Sequence, residues 1–381
     1  TLTPVRITFE NNQKEAYIET IFQFFQPKQE VRIMAKMKAA RWHNRKDVRV
    51  EELEIPQPKA NQIKIEVKYC GICGSDLHEY LGGPIFIPVD KPHPYPGEKA
   101  PLVMGHEFSG EVVEVGPEIT KFKVGDRVTV EPVHAKDGLK GKYNLDPNLN
   151  FIGLAGGGGG FSEYVVVNED QAHKLPENVD FEQGALTEPA AVGLYAVRQS
   201  RIKAGDTAAV FGCGPIGLLV IDALRAAGAS RIYAVELSPE RQAKAKELGA
   251  IIVDPAKEDA VESIRRQTNG GVNVSFEVTG VPAVLQQSLD VAEKGGELIV
   301  VSIWEKPATI HPNEIVIQEK TMKGVIAYRD VFPKVLELMG QGYFSKDLLV
   351  TKRIKLDDIV EEGFEALVKE KSQVKILVSP K

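Results

Sequence analysis

Three glycines, spaced as Gly212-x-Gly214-x-x-Gly217, constrain the fold of this chain more than any other feature. The apolar run 207–211 precedes them, and residues 216–227 follow with helical spacing of apolar side chains. Between a strand and a helix, such glycines allow a tight turn, close approach of a pyrophosphate and packing of the helix on the sheet. The helix N-terminus then offers free N–H groups and partial positive charge to the phosphates. The sequence therefore predicts a dinucleotide site here. Its first contacts would come from Gly212, Gly214, Pro215, Ile216 and Gly217.

A carboxylate at the end of the second strand indicates which dinucleotide binds. The strand-like run 231–235 ends at Glu236, nineteen residues after Gly217. A carboxylate at this place accepts hydrogen bonds from the adenosine ribose and repels the 2′-phosphate of NADP, so we expect NAD. Arg241 is a further candidate for the coenzyme site: it either accommodates a phosphate or lies over the adenine as a surface residue.

Strands and helices alternate through the second half of the chain. Further strand-like runs lie at 250–253, 273–278, 297–302 and 321–326, separated by helical patterns such as 239–248 and 282–293. Strands that alternate with helices predict an α/β fold with a doubly wound parallel sheet of the Rossmann type.

The first part of the chain has a different pattern. From Met37 to about residue 167, short alternating strands and glycine turns follow one another, which predicts a small barrel or sandwich. A proline-rich loop at 84–101 separates Cys73 from His106. Because so long a loop in a compact domain is more often functional than accidental, we expect it to border the substrate entrance.

Cysteine, histidine and carboxylate side chains in this part point to a metal. Cys70-x-x-Cys73 alone fits a redox pair or half of a structural zinc site. The sequence holds no second such pair, and we expect strands rather than a helix around the two cysteines, which disfavours both alternatives. A catalytic zinc needs three protein ligands and an open position, which Cys73, His106 and a carboxylate would provide.

Composition excludes several classes of function. About two domains are expected from 381 residues, and a net charge of -6 without a basic run argues against nucleic acid and anionic membranes as partners. No run of eighteen apolar residues occurs, and three cysteines cannot form a disulfide framework. We therefore expect a cytoplasmic protein.

The first thirty-six residues carry no recognisable chemistry. Because the sequence opens on threonine, we expect a fragment, a processed form or an upstream-extended reading frame. Met37 is expected to open the functional fold, which makes residues 1–36 dispensable. The alternative is an added interaction arm, and assays of activity and oligomer size after deletion of 1–36 separate the two.

Two motifs resemble the signatures of zinc-dependent medium-chain alcohol and polyol dehydrogenases. They are Gly71-x-Cys73-Gly74-Ser75-Asp76-x-His78 and Gly105-His106-Glu107-x-x-Gly110-x-Val112-x-x-Val115-Gly116. The likeness continues through Gly125-Asp126-Arg127-Val128, Glu188-Pro189 and the glycine fingerprint, and covers essentially Met37 to the C-terminus. Within the family, residues 78–84 and 151–164 resemble the branch that acts on 2,3-butanediol and acetoin.

The resemblance implies a set of site residues. Cys73, His106 and Glu188 would ligate zinc, with Glu107 and Glu188 as alternates, and Ser75 and His78 would relay the proton to solvent. One zinc per chain is expected, because the segment that carries a structural zinc in many relatives, 134–149, has no cysteine here. The nicotinamide and its ribose would be lined by Val278, Val301, Ser302, Ile303, Val325 and Ile326.

The resemblance also implies an architecture and an activity. A GroES-like β-barrel catalytic domain would span 37–189 and the dinucleotide-binding domain 190–326, with 327–381 returning to the catalytic domain. Hydride would pass between NAD and a secondary alcohol, a small diol or hydroxyketone. The alternatives are a sorbitol-type polyol or threonine, and, from another class, a zinc-free quinone reductase or nucleotide-binding structural protein. A homodimer or homotetramer is expected.

Overall fold

The computed structural model describes residues 35–135, 141–370 and 372–381, and its helices and strands belong to one unit, Lys36–Lys381. The predicted N-terminal extension therefore lies almost wholly outside the described residues. The strands are β1 Lys36–Asn44, β2 Asp47–Glu54, β3 Gln62–Gly71, β4 Leu102–Val103, β5 Glu107–Val115, β6 Arg127–Val130, β7 Val133–His134, β8 Asn150–Phe151, β9 Tyr164–Asn168, β10 Ala172–Lys174, β11 Thr207–Phe211, β12 Arg231–Val235, β13 Ile251–Val253, β14 Val272–Glu277, β15 Ala292–Val300, β16 Thr321–Gly324, β17 Val350–Lys355 and β18 Lys375–Ser379.

Helices connect most of the later strands. The α-helices are α1 Gly74–Gly82, α2 Phe181–Ala185, α3 Thr187–Gln199, α4 Pro215–Ala226, α5 Pro239–Glu247, α6 Ala260–Thr268, α7 Pro282–Val291, α8 Pro312–Val316, α9 Phe332–Gly340, α10 Lys346–Leu349 and α11 Ala366–Lys369. Single 3-10 turns lie at Tyr143–Leu145, Glu169–Gln171 and Leu356–Asp358, and a π-helical stretch at Ile359–Glu365 leads into α11.

A six-stranded parallel sheet confirms the predicted doubly wound fold. Its strand order is β13-β12-β11-β14-β15-β16, and every neighbouring pair runs parallel. The central strands are buried, as expected where helices cover both faces. Strands β14, β15 and β16 end one or two residues before the predicted limits. The residues that follow them therefore lie at the carboxyl edge of the sheet, where open α/β sheets bind their ligands.

The first part of the chain forms the predicted strands and turns. A seven-stranded sheet has the order β10-β6-β5-β3-β18-β17, with β9 also paired to β3, and a three-stranded sheet has the order β2-β1-β4. The side chains that fill the space between them include Trp42, Ile63, Ile65, Phe108 and Phe161, all buried. Strand β18 pairs with β3 through Leu377 opposite Gly71, so the end of the chain joins this first sheet. The domain boundaries themselves stay a prediction.

The expectation of strands alone around Cys70 and Cys73 is wrong. Helix α1 begins directly after Cys73, which is its N-cap residue, and the Cys73 N–H donates to Asp76 Oδ2 at 2.9 Å. A redox pair is still disfavoured, because Cys70 is fully buried and burial raises the pKa of its thiol well above the ordinary value. A thiol that does not ionise is a poor nucleophile.

Across the described ranges, no helix combines the length and the apolar character needed to cross a bilayer.

Candidate metal and coenzyme site

Three ligand-bearing side chains meet where strand β5 begins. One ligand atom each from Cys73, His106 and Glu107 lies within 4.8 Å of the others. Cys73 is held at the N-terminus of α1, while the antiparallel pairing of β3 with β5 places Glu107 opposite Gly71. A thiolate, an imidazole and a carboxylate are the donors that zinc takes in proteins. The structure therefore brings together three of the four proposed ligands.

Asp76 lies next to the imidazole ring of His106. Its Oδ1 is 3.5 Å from His106 Nδ1, and neither atom has a hydrogen-bond partner among the described residues. Burial alone would lower the pKa of His106, but the negative charges of Asp76 and Cys73 raise it well above the ordinary value. A cation held by the other ring nitrogen would satisfy the same negative charges, so the residues present fit a zinc ion.

Glu107 has a buried partner that the sequence did not indicate. Lys375 Nζ, on β18, lies 2.8 and 2.6 Å from the two Glu107 carboxylate oxygens and 3.1 Å from the Ile72 carbonyl oxygen. Burial lowers the pKa of Lys375, but the Glu107 charge outweighs it and the pKa is raised. Gly71 leaves the room for this pair, because a Cβ there would stand 2.2 Å from Glu107 Oε2. Lys375 thus fixes the position of the Glu107 carboxylate within the cluster.

Glu188 lies beside the cluster rather than within it. It stands in the first turn of α3 and is 4% exposed. Burial raises the pKa of this carboxyl and the charge of Glu107 raises it as well, while the nearby His106 and Tyr328 lower it; the net pKa is about 7. Which of the two glutamates ligates the metal stays a prediction.

The two proposed relay residues share helix α1. Ser75 Oγ lies 3.2 Å from His106 Nε2, so the hydroxyl faces the metal cluster. His78 follows three residues later, about one helical turn away, and is partly exposed. The same helix anchors the proline-rich loop, because the buried Glu79 carboxylate accepts the N–H groups of Ile85 and Ile87 at 3.1 and 3.0 Å. The position of that loop at the substrate entrance stays a prediction.

The glycine fingerprint has the geometry that a dinucleotide needs. Gly212 has a φ of +95°, which favours glycine, and a Cβ at Gly217 would stand 1.9 Å from the Gly212 carbonyl oxygen. A Cβ at Gly214 would meet nothing within 4 Å, so this side of the loop is open. Gly214 caps α4 without a side-chain hydrogen bond, and Pro215 and Ile216 open the helix. The first N–H groups of α4 are therefore available to a phosphate.

Glu236 and Arg241 are the residues predicted to contact the adenosine part of the coenzyme, and Glu236 lies next to the glycine loop. The Glu236 carboxylate accepts the Cys213 N–H at 2.7 Å and the N–H groups of Leu237 and Ser238 at 2.9 Å. These bonds fix a negative charge at the end of β12, next to the glycine loop. Arg241 Nε is buried and has no hydrogen-bond partner among the described residues. Both side chains thus remain candidates for coenzyme contact.

The proposed nicotinamide-lining residues follow the ends of β14, β15 and β16. They are Val278, Val301, Ser302, Ile303, Val325 and Ile326. The fully buried Glu277 joins two of these loops, since its carboxylate accepts the N–H groups of Thr279 and Gly280 at 2.7 and 3.0 Å and the Ser302 hydroxyl. Glu277 was not predicted as a site residue, because it stands at the end of an otherwise apolar strand. A charged residue at such a place was the signal that the sequence offered.

Comparison with known proteins agrees with this geometry. Residues 59–177 match the alcohol dehydrogenase GroES-like domain, and residues 215–341 match the zinc-binding dehydrogenase family. The (R,R)-butanediol dehydrogenase of Bacillus subtilis is 68% identical over 90% of this chain and 100% of its own length. A sorbitol dehydrogenase of Bacillus subtilis is 34% identical over 90% of this chain and 97% of its own length. A crystal structure of 2R,3R-butanediol dehydrogenase from Bacillus subtilis superposes with a TM-score of 0.89 and 68% identity, covering 91% of this chain and 100% of that one.

Proposed function

Because this chain belongs to the zinc-binding medium-chain alcohol dehydrogenases, enzymes that pass hydride between NAD and an alcohol, we propose that it interconverts (R,R)-2,3-butanediol and acetoin. The observation that carries the proposal is the 68% identity with a butanediol dehydrogenase along that protein's whole length. The identity to a sorbitol dehydrogenase is half as large, at 34%. The cluster of Cys73, His106 and Glu107 supports a zinc-dependent rather than a zinc-free member.

Cys73 and His106 would hold the zinc, with Glu107 and Glu188 as alternates for the third place. Zinc bound in such a site supplies a Lewis acid that lowers the pKa of an alcohol hydroxyl. Asp76 at Nδ1 of His106 would leave Nε2 free to bind the metal, and Lys375 fixes the position of the Glu107 side chain through an ion pair. A thiolate and a carboxylate together offset the charge of a divalent ion.

Ser75 and His78 would move the proton that an alcohol loses on oxidation. The Ser75 hydroxyl accepts the proton of a substrate hydroxyl placed beside His106 Nε2 and donates its own onward. His78, farther along α1 and partly exposed, passes it to solvent, since one imidazole nitrogen accepts a proton while the other donates one. Replacement S75A should lower kcat by about a hundredfold and leave the Kd for NADH unchanged. The exposed-turn variant S230A is the control, and an unchanged kcat in S75A would remove Ser75 from the scheme.

The rest of the coenzyme site would place NAD across the carboxyl edge of the parallel sheet. The N–H groups at the start of α4 receive the pyrophosphate, and Glu236 accepts the ribose hydroxyls and repels a 2′-phosphate. The loops joined by Glu277 would border the nicotinamide, and the chemistry that this group would supply when bound is hydride transfer.

Steady-state kinetics with a panel of alcohols test the substrate proposal. The panel is (R,R)-, meso- and (S,S)-2,3-butanediol, acetoin, sorbitol and threonine, each with NAD(H) and NADP(H). We expect the highest kcat/KM for the (R,R)-diol with NAD and for acetoin with NADH. A higher kcat/KM for sorbitol or threonine would overturn the substrate, and a preference for NADP would overturn the role of Glu236.

A homodimer or homotetramer is part of the same proposal. Strand β16 is an edge of the six-stranded sheet, and exposed apolar side chains lie on and near it: Met322, Val316 and Ile317. An exposed apolar edge favours pairing with another chain. Sedimentation of the purified protein tests this, and a monomer at micromolar concentration would contradict it.

The proposal also includes a cytoplasmic location, which the three free cysteines support. The proposed domain boundaries are 37–189, 190–326 and 327–381.

A further inference from the structure

Two residues between β7 and β8 form hydrogen bonds to the loop that follows β16, the last strand of the parallel sheet. We call residues 325–331, which follow β16, the post-β16 loop. Asn144 Nδ2 donates to the Ile326 carbonyl oxygen at 2.9 Å, and Arg329 Nη1 donates to Asn144 Oδ1 at 3.1 Å. Asn144 is 4% exposed, and both hydrogen bonds are partly buried. The carboxamide of this one residue thus forms hydrogen bonds to two residues of the post-β16 loop.

Tyr143, the residue before Asn144, contacts the same loop at Asp330. The Asp330 N–H donates to Tyr143 Oη at 2.6 Å, and the Tyr143 hydroxyl in turn donates to Glu131 Oε1 at 2.7 Å. Glu131 Oε2 is 3.2 Å from His173 Nε2. These contacts connect the post-β16 loop to Glu131, which directly follows β6, and to His173 on the neighbouring strand β10.

The backbone of the post-β16 loop needs such support. Ala327 and Asp330 have φ values of +48° and +55°, in the left-handed region that side chains with a Cβ disfavour. Strained residues of this kind persist when surrounding contacts over-determine them, and they gather at ligand sites. Between them Tyr328 is fully buried, beside Glu188. Loss of the Asn144 contacts would let the loop relax away from its present position.

We propose that Asn144 is a positioning residue for the nicotinamide. It holds the Ile326 carbonyl, and thereby Val325 and Ile326, in the place where these residues border the nicotinamide ring. The inference rests on the proposed function, because it assumes that the loop borders the nicotinamide. In this chain, the cysteine-free segment that contains Asn144 thus acts on the coenzyme through hydrogen bonds to the other part of the molecule.

Binding of two ligands to variants of the zinc-loaded protein tests the inference. N144A removes both the donor to the Ile326 carbonyl and the acceptor for Arg329. The Kd for NADH should rise about tenfold, the scale of a lost hydrogen bond, while the Kd for ADP-ribose, which lacks the nicotinamide, stays unchanged. N144D keeps an acceptor for Arg329 but loses the donor to the Ile326 carbonyl, so it should resemble N144A. Titration calorimetry measures both ligands without any alcohol present.

Two further variants make the outcome decisive. N178A is the matched control, because Asn178 Nδ2 donates to the Gly340 carbonyl at 2.8 Å on an exposed surface, and it should bind both ligands like the wild type. R329A leaves the hydrogen bond from Asn144 to Ile326 in place, so it should raise the Kd for NADH by a smaller factor. This variant replaces the Asn144 variants in the test if those do not fold. Equal weakening of NADH and ADP-ribose, or no weakening of NADH, would overturn the inference. A wild type that binds no NADH would instead refute the proposed function itself.

Discussion

Asp76 determines how His106 can meet a metal. The carboxylate lies 3.5 Å from Nδ1 of the ring, and the Ser75 hydroxyl lies 3.2 Å from Nε2, so Nε2 is the nitrogen that remains for a metal. A carboxylate behind a metal-binding histidine fixes the tautomer and makes the imidazole a stronger donor. The sequence motif contained Asp76, but only the structure shows that this side chain points at His106.

Replacement of Asp76 by asparagine should therefore weaken zinc binding. The uncharged amide no longer supports a positive charge on the ring, so zinc affinity should fall about ten- to a hundredfold. Competition with a chelating dye measures the affinity. D90N, a change of the same kind at an exposed loop position, should bind zinc like the wild type, and equal affinities of all three proteins would refute the role of Asp76.

The buried carboxyl of Glu188 makes the metal-free protein sensitive to pH. Its pKa is about 7 in the folded protein against an ordinary value of 4.5, so the folded state binds the proton more tightly than the unfolded state. This contribution to stability is complete below 4.5 and is lost as the pH rises through 7.

Between about pH 4 and pH 8, the free energy of unfolding of the metal-free wild type should therefore fall relative to E188Q by on the order of 3 kcal/mol. Urea unfolding at both pH values, after removal of the metal by a chelator, measures the difference. Parallel pH dependences in wild type and E188Q would show that Glu188 ionises freely in the folded protein.

At the scale of single elements, the glycine loop and the strands around it could be predicted from sequence. Strands β11 and β12 have the predicted bounds, because each is a short apolar run that a turn residue ends. Helix α1 was missed, because it has nine residues and its N-cap is a cysteine, outside the residue types that usually mark a helix start. The acidic residue in its first turn, Asp76, was the signal that remained.

Two glycines of the fingerprint should respond differently to alanine. G217A places a Cβ 1.9 Å from a backbone oxygen, so it should lower both the melting temperature and NADH affinity. G214A meets no protein atom within 4 Å, so it should keep the melting temperature and lose NADH affinity because the Cβ enters the space of the pyrophosphate. Calorimetric melting and NADH titration of both variants measure this, and an NADH affinity of G214A equal to that of the wild type would contradict the placement of the pyrophosphate.

Over the whole molecule, the last strand completes the metal site. Lys375 reaches Glu107 across 268 residues of sequence because β18 pairs with β3. Neither periodicity nor a motif encodes such a pairing, so Lys375 could not be predicted, although the return of the chain to the first part was expected from the family. The ligand types and their order, in contrast, could be predicted because they lie in two short local motifs.

Removal of the lysine charge should destabilise the metal-free protein. K375M leaves the Glu107 carboxylate buried and unpaired, which should lower the free energy of unfolding by about 3–5 kcal/mol. The double variant E107Q/K375M should recover most of that loss. K352M, which breaks the more exposed pair with Glu362, should cost less than about 1 kcal/mol. Equal losses in K375M and K352M, measured by urea unfolding, would show that the buried pair is not ionic.

A zinc titration of metal-stripped protein, with NADH-dependent acetoin reduction as the readout, tests most directly whether the reaction requires the zinc ion. We expect no reduction without zinc and a linear return of the rate that ends at one zinc per chain, while C73S/H106A neither binds the ion nor regains activity. Reduction of acetoin at the full rate by protein free of zinc would show that the reaction does not depend on the ion.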